Sequence, residues 1–229
     1  MTRASDLAKL LGAGATINDG TTITTADNTS QLTLTSTDAD ASGGPLLTFY
    51  RNSASPADSD ATGKINFHGE NSAGEDTTYA QIFTSILDVT DGTEDGRFKI
   101  GTLLAGSFDS RLDMTNTETV FNEDSKDLDF RVEGNGDTHA LFVQGSDDKV
   151  GINNSSPVEM LTIGTTSDAA SRIQFLGATD GVNTIHFGDG TSTSAYAGYI
   201  SYAHDSDSLQ FATSASERAR IDDGGNVYL

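Results

Sequence analysis

Carboxylates dominate the reactive side chains of this 229-residue chain, with 34 Asp and Glu against 13 Lys and Arg, four His and no Cys. Glycoside hydrolysis needs two carboxylates at a fixed separation, and with so many acids the sequence singles out no pair. Ca²⁺ takes several oxygen ligands. Asp38-Ala39-Asp40-Ala41-Ser42-Gly43 and Asp88-Val89-Thr90-Asp91-Gly92-Thr93-Glu94-Asp95 have the density for it, but neither has the loop spacing with a closing Glu. Both read as solvated turns. His68, His139, His186 and His204 lack the spacing of a zinc site, although one His per chain meeting on a threefold axis stays open as a metal site. No Gly-x-Ser-x-Gly elbow occurs, Gly63-Lys64 lacks the upstream glycine of a phosphate loop, and the Gly-x-Gly pairs at Gly12, Gly134 and Gly188 do not continue into a dinucleotide fingerprint. The expectation is a chain that is not an enzyme, with no catalytic residue, cofactor or metal.

The elements that would carry any site are strands. Asp supplies 26 of the carboxylates and Glu only 8, alongside 30 Thr, 24 Ser and 24 Gly. Asp favours turns and caps whereas Glu favours helices, so the composition is β-rich and dense in turns. Leu, Ile, Val and Phe number 48. That is thin for a chain with formal net charge −21, yet they alternate, as on a buried sheet face. A thin but patterned core is the mark of a chain that completes its core with other subunits. Phosphate binding needs clusters of Lys and Arg, so the charge argues against nucleic acid, and equally against anionic membrane surfaces. No apolar run approaches the ~20 residues of a membrane span.

Four regions follow. Residues 1–30 form an N-terminal anchor region with a short helix over about 5–11. Ser5 and Asp6 cap it, Leu7, Leu10 and Leu11 share one face, and Gly12 ends it before a Gly12-to-Gly14 joint. Thr21–Thr25 is expected as a small strand. A β-unit spans 31–121, a β-turn module 122–159, and a second β-unit 160–229. The two β-units read as copies. Leu32-Thr33-Leu34 matches Leu161-Thr162-Ile163, Leu47-Thr48-Phe49 matches Ile173-Gln174-Phe175, and Ile65-Asn66-Phe67 matches Ile185-His186-Phe187. Tyr79–Phe83 aligns without a gap to Tyr196–Ile200, Phe98-Lys99-Ile100 matches Leu209-Gln210-Phe211, and Arg111–Phe121 aligns to Arg218–Tyr228. Order and spacing hold while loop lengths vary, as in stacked β-repeats.

The module between the copies contains three strand-like runs, Leu128–Val132, Ala140–Val143 and Lys149–Ile152. They are separated by Gly134-Asn135-Gly136-Asp137 and Gly145-Ser146-Asp147-Asp148. Alternation sets Phe130 and Val132 opposite Arg131, and Leu141 and Val143 opposite Phe142. Both faces of that middle strand are apolar, so Phe130, Val132, Leu141, Phe142, Val143, Val150 and Ile152 are expected to form a covered subunit or layer junction.

The run Val120–Pro157, Val-Phe-Asn-Glu-Asp-Ser-Lys-Asp-Leu-Asp-Phe-Arg-Val-Glu-Gly through Val-Gly-Ile-Asn-Asn-Ser-Ser-Pro, closely resembles a segment of tail-fibre and related virion proteins of bacteriophages, many of them marine. The opening Met1–Leu11 also resembles the starts of phage fibre-type proteins. The resemblance implies an all-β, elongated, intertwined homotrimeric fibre. Such a fibre would attach through its N-terminal end to phage tail or capsid proteins and contribute to host adsorption through a surface glycan or protein. It would be assembled in the host cytoplasm and reside in the virion. A head fibre or capsid-decoration protein of the same build stays open, as does a carbohydrate-binding or polysaccharide-degrading spike module. Leu229 directly follows Val227-Tyr228 at a strand edge, so a longer fibre, or a tip carried by another protein, is open as well.

Overall fold

A computed structural model describes residues 20, 22–41 and 43–229. The expected helix over about 5–11, with Leu7, Leu10 and Leu11, lies outside the described residues. Among those described, the regular structure is β apart from one 3-10 turn, Ser192–Tyr196. The chain divides into two compact units at Lys126/Asp127.

The first unit carries sheet 1, built from β1 (Ala61–Glu70), β2 (Asp76–Asp88), β3 (Asp95–Leu104), β4 (Ser107–Met114) and β5 (Thr119–Phe121). Each strand pairs antiparallel with the next in a plain meander. Directly paired residues share a face, and the ladder runs Ile65–Ile82–Ile100–Leu112–Phe121 across all five strands. Phe67, Phe98 and Met114 extend this apolar face. The opposite face carries the row Lys64–Phe83–Lys99–Asp113–Val120.

The second unit carries two sheets. Sheet 2 comprises β6 (Phe130–Val132), β7 (Leu141–Gln144), β8 (Lys149–Ile152) and β9 (Leu161–Ile163). Its first three strands are antiparallel and β9 joins β8 in parallel. Sheet 3 is a second five-stranded meander of β10 (Val182–Phe187), β11 (Gly198–Ala203), β12 (Ser208–Thr213), β13 (Ser216–Ile221) and β14 (Val227–Tyr228).

Sheets 1 and 3 repeat one another in detail. The ladder Ile185–Ile200–Phe211–Ala219 in sheet 3 answers Ile65–Ile82–Ile100–Leu112. Both sheets break register at the same place. Between the pairs Ile100↔Leu112 and Gly101↔Ser110 one residue, Arg111, is left over. Between Phe211↔Ala219 and Ala212↔Glu217 it is Arg218. These are β-bulges, two residues on one strand facing one on the other. Each bulge arginine donates from Nε to a threonine at the corresponding place on the partner strand, Arg111 to Thr102 Oγ1 at 2.6 Å and Arg218 to Thr213 Oγ1 at 3.1 Å. Both hairpins close with two residues at positive φ, Ala105-Gly106 (47° and 85°) and Ser214-Ala215 (49° and 55°), the turn whose twist suits paired strands.

The ladders correct the gapless matches in two places. Ile82 and Ile200 occupy the same position, facing Ile65 and Ile185, so the match of Tyr79–Phe83 to Tyr196–Ile200 is one residue out. A slip of one residue turns every side chain to the other face, and Tyr196 itself lies in the 3-10 turn. At the other end Met114 pairs with Thr119 but Ile221 with Val227. The Asp222–Asn226 turn is therefore one residue longer than Thr115–Glu118.

The expected Thr21–Thr25 strand does not form over its described residues 22–25, and the matched segments Leu32–Leu34, Leu47–Phe49 and Ile173–Phe175 are not strands either, because no other segment of the described chain pairs with them. Their side chains stand in solvent, with neighbours Leu46 and Leu176 82% and 84% exposed. Among the described residues the buried apolar side chains are Phe142, Pro157, Ala203 and Ala212. Phe142, 5% exposed, is the one large member of that group. Truncating a buried Phe costs ~3–5 kcal/mol. Phe142→Ala is expected to lower the melting temperature measured by circular dichroism by many degrees, and an unchanged melt would show that sheet 2 does not depend on this contact.

Candidate functional site

The seven residues expected at the central junction all fall in sheet 2. Phe130, Val132, Leu141, Val143, Val150 and Ile152 share one face, where Leu161 and Ile163 of β9 join them. Phe142 points to the other face, beside Arg131 and Gly151, with its ring edge-on to His139 at 5.0 Å. Phe142 is buried, while Val132 and Val143 remain exposed. The turns of the module are pinned by side chains. Asp129 Oδ1 accepts the Gly145 amide at 3.0 Å and Asp137 Oδ1 accepts the His139 amide at 2.8 Å. At Gly145 a Cβ would stand 2.5 Å from the Leu128 backbone nitrogen, so the close approach of the two chain segments admits only glycine there.

The module's first residues belong to sheet 1. Asn122 exchanges two hydrogen bonds with the backbone of Lys126, at 2.8 and 3.0 Å. Asp124 Oδ2 accepts the Ser110 amide at 2.5 Å, and Lys126 Nζ lies 3.2 Å from Asp109. The segment Asn-Glu-Asp-Ser-Lys is thus a corner buttressing β4 beside its bulge.

That bulge arms the second face of sheet 1. Unbroken alternation from Leu112 through Arg111 would send Ser110 and Phe108 to the apolar face. With the bulge they pair with Gly101 and Leu103 and turn to the opposite side. There the Phe108 ring lies over Gly101, at a place that any Cβ on residue 101 would occupy. Phe83, Phe108, Lys64, Arg97, Lys99 and Gln81 line a cavity of 220 Å³ above Gly101. Lys64 Nζ sits 5.3 Å from the centroid of Phe83, a cation–π contact. Arg97 donates from Nε to Asp113 Oδ1 at 2.7 Å and from Nη2 to the other carboxylate oxygen. The Asp113 side chain is only 2% exposed. The Arg97 hydrogen bonds hold its pKa below the ordinary carboxylate value, against the opposing effect of burial, and Lys99 adds to the depression. Neither Lys64 nor Lys99 makes an ion pair among the described residues. In a chain of net charge −21, this concavity can attract an anion.

Two other cavities lie within single units. One, of 520 Å³, crosses the strand ends of sheet 1 from Thr62 and Ser85 to Arg97 and Thr115. The other, of 480 Å³, lies between Asn153 and Arg172 in the second unit. Among the described residues no three His, Cys, Asp or Glu side chains converge as a metal site. His68 bonds Asp76 at 2.7 Å, and His186 packs against Tyr196 at 4.8 Å.

The cationic face was not among the residues singled out from the sequence. Its signal was present in the repeat, where Phe98-Lys99-Ile100 faces Leu209-Gln210-Phe211: a lysine in one copy is a neutral residue in the other. No protein-family model matches the chain, and no curated protein is similar to it.

The Arg97–Asp113 pair sets a pH dependence. Asp113 has a folded-state pKa below its ordinary 3.8, so its stabilising contribution is complete above that value and is lost as pH falls through the folded pKa. Asp113→Asn, which gives up a charge-assisted bond of about 1.5–3 kcal/mol, is expected to lower the melting temperature at neutral pH. The gap to the parent should close below pH ~3.8. A gap that stays constant down to the lowest pH would deny the pair this role.

Proposed function

We propose that the chain is a structural subunit of a bacteriophage virion, a homotrimeric tail fibre or spike that is elongated and intertwined. It attaches through its N-terminal end and contributes to host adsorption. One observation carries this reading: among the described residues, apolar side chains on one face of sheets 1 and 3 stay largely exposed. Phe67 and Phe121 are 53% and 55% exposed, and Ile65, Phe98, Met114, Ile185, Phe187 and Phe211 are exposed with them. Contiguous apolar surface of this kind marks an association site, and a sheet that is apolar on one face buries that face against another layer. Copies of the same chain supply it most simply. The unpaired, strand-like Leu46–Tyr50 and Ile173–Leu176 segments are suited to pair with a neighbouring chain, which would close sheet edges that each chain leaves open. The resemblance of Val120–Pro157 to phage fibre proteins supplies the virion, and a threefold fibre is the symmetry that resemblance implies.

The oligomeric mass tests the proposal. Light scattering is expected to give about three chain masses that persist on dilution, while a folded monomer of 24.0 kDa would refute it. The Leu7, Leu10 and Leu11 face is proposed as the virion anchor. Deleting residues 1–14 should leave the β-body trimeric and melting as before, yet remove it from assembled particles. Normal incorporation of the shortened chain would place the anchor elsewhere.

A further inference from the structure

We infer that the cationic cavity of sheet 1 binds a carboxylate-bearing sugar ring, the unit of an acidic polysaccharide. The first support is that the scaffold does not need the charges. Sheet 3 builds the same meander with the same bulge, and the row Lys64–Phe83–Lys99 becomes Thr184–Ser201–Gln210. Position 97, paired with Ser85, corresponds to Ser208, paired with Ala203. The cation of that row in sheet 3, Arg220, stands where sheet 1 has Asp113. It is engaged by Glu217 at 3.3 Å and by the Tyr228 ring. Residues that a fold dispenses with in its second copy are free to serve a ligand in the first.

The groups around the cavity then select the ligand. Lys64 and Lys99 offer two ammonium charges. Arg97 has committed its Nε and Nη2 to Asp113, and the charges of Glu123 and Asp124 also reach it. What remains is a modest positive excess beside a fixed carboxylate. That suits a monoanion better than a phosphate dianion, because the arginine fork that would grip a phosphate bidentately is already engaged. Phe83 and Phe108 present apolar ring surface, against which the C–H face of a sugar can lie. Gln81 Nε2 donates to Asn66 Oδ1 at 2.7 Å, which leaves the Gln81 carbonyl and the Asn66 amide hydrogens for hydroxyl groups. The 220 Å³ volume falls below the ~300–1,000 Å³ of drug-sized pockets, enough for one ring and not for a chain of them. The inference stands on sheet 1 alone and does not require the fibre reading, whose own test is the oligomeric mass.

Calorimetric titration of the full chain with trigalacturonate, and with the neutral trisaccharide galactotriose, tests it. The acid is expected to bind with one site per chain, to weaken as salt is raised, and to bind about tenfold more tightly than the neutral sugar. Lys64→Thr/Lys99→Gln, which installs the sheet 3 residues, should cut affinity for the acid about tenfold with oligomeric mass and melting temperature unchanged. Lys64→Thr alone should give part of that loss. Absence of binding by the parent chain, equal binding of the neutral sugar, or undiminished binding by the double variant would each overturn the assignment. So would loss of the assembled mass in the double variant, which would make the lysines a subunit contact.

Discussion

A single layer of β-sheet cannot bury both of its faces, and this constraint governs the whole chain. In a two-layer domain the apolar side of each sheet is covered by the other layer. Here each meander carries a continuous apolar row, Ile65 to Phe121 in sheet 1 and Ile185 to Ala219 in sheet 3. The side chains that the described chain does bury are more often polar than apolar. Ser85, Asp109, Ser110, Asp113, Ser201 and Ser208 are buried, against Phe142, Pro157, Ala203 and Ala212. Asp109 and Asp113 are held beside the ladder by ion pairs with Lys126 and Arg97. Hydrogen bonding and turn chemistry therefore fix the register of each sheet, while its apolar row stays partly exposed among the described residues.

The bulge arginine shows how one backbone irregularity does two jobs. Its side chain clips the strand to the threonine across the hairpin, and this is common to both sheets. Its extra residue also reverses the facing of everything between the bulge and the turn. In sheet 1 the hairpin continues for four pairs beyond the bulge, Gly101↔Ser110 to Leu104↔Ser107, so Phe108 is carried over Gly101. In sheet 3 two pairs follow, Ala212↔Glu217 and Thr213↔Ser216, and no aromatic residue is delivered. The two copies share the device and differ in arm length, so the same fold carries an aromatic ring over the sheet in the first copy and a serine at the hairpin end in the second.

The all-β character was legible from Asp over Glu and from Thr, Ser and Gly abundance, because turn preference and alternation are local properties. The strands of the central module were legible for the same reason, with Arg131 and Phe142 paired on one face as alternation requires. What sequence could not deliver was pairing. Leu32–Leu34 and Leu161–Ile163 match as sequences, yet the first stays unpaired and the second is β9, because β8 lies beside it. Alternation reports a strand-forming tendency and says nothing about whether a partner is present. The gapless match of Tyr79–Phe83 to Tyr196–Ile200 erred for a related reason: identical Tyr-Ala pairs outweighed the isoleucine ladder, which only the cross-strand register reveals.

Lys64, Arg97 and Lys99 were overlooked because a net charge of −21 directs attention to the acids. Charge at a site is set by what stands within a few ångströms, and the summed charge of the chain bears on solubility and long-range approach. On sheet 1 these come apart. Lys64 and Lys99 are 35 residues apart in sequence yet flank Phe83 in one cross-strand row, a grouping that no window along the chain displays. The acidic remainder of the surface has its own consequence for such a site. It repels anions at a distance, so long-range steering works against an acidic ligand and recognition must rest on contact within the cavity. Added salt then acts in opposite senses, easing the approach while weakening the contact with the two lysines. An acidic polymer already concentrated beside the protein would make the slow approach unimportant, which favours a role at a surface over capture of a dilute solute.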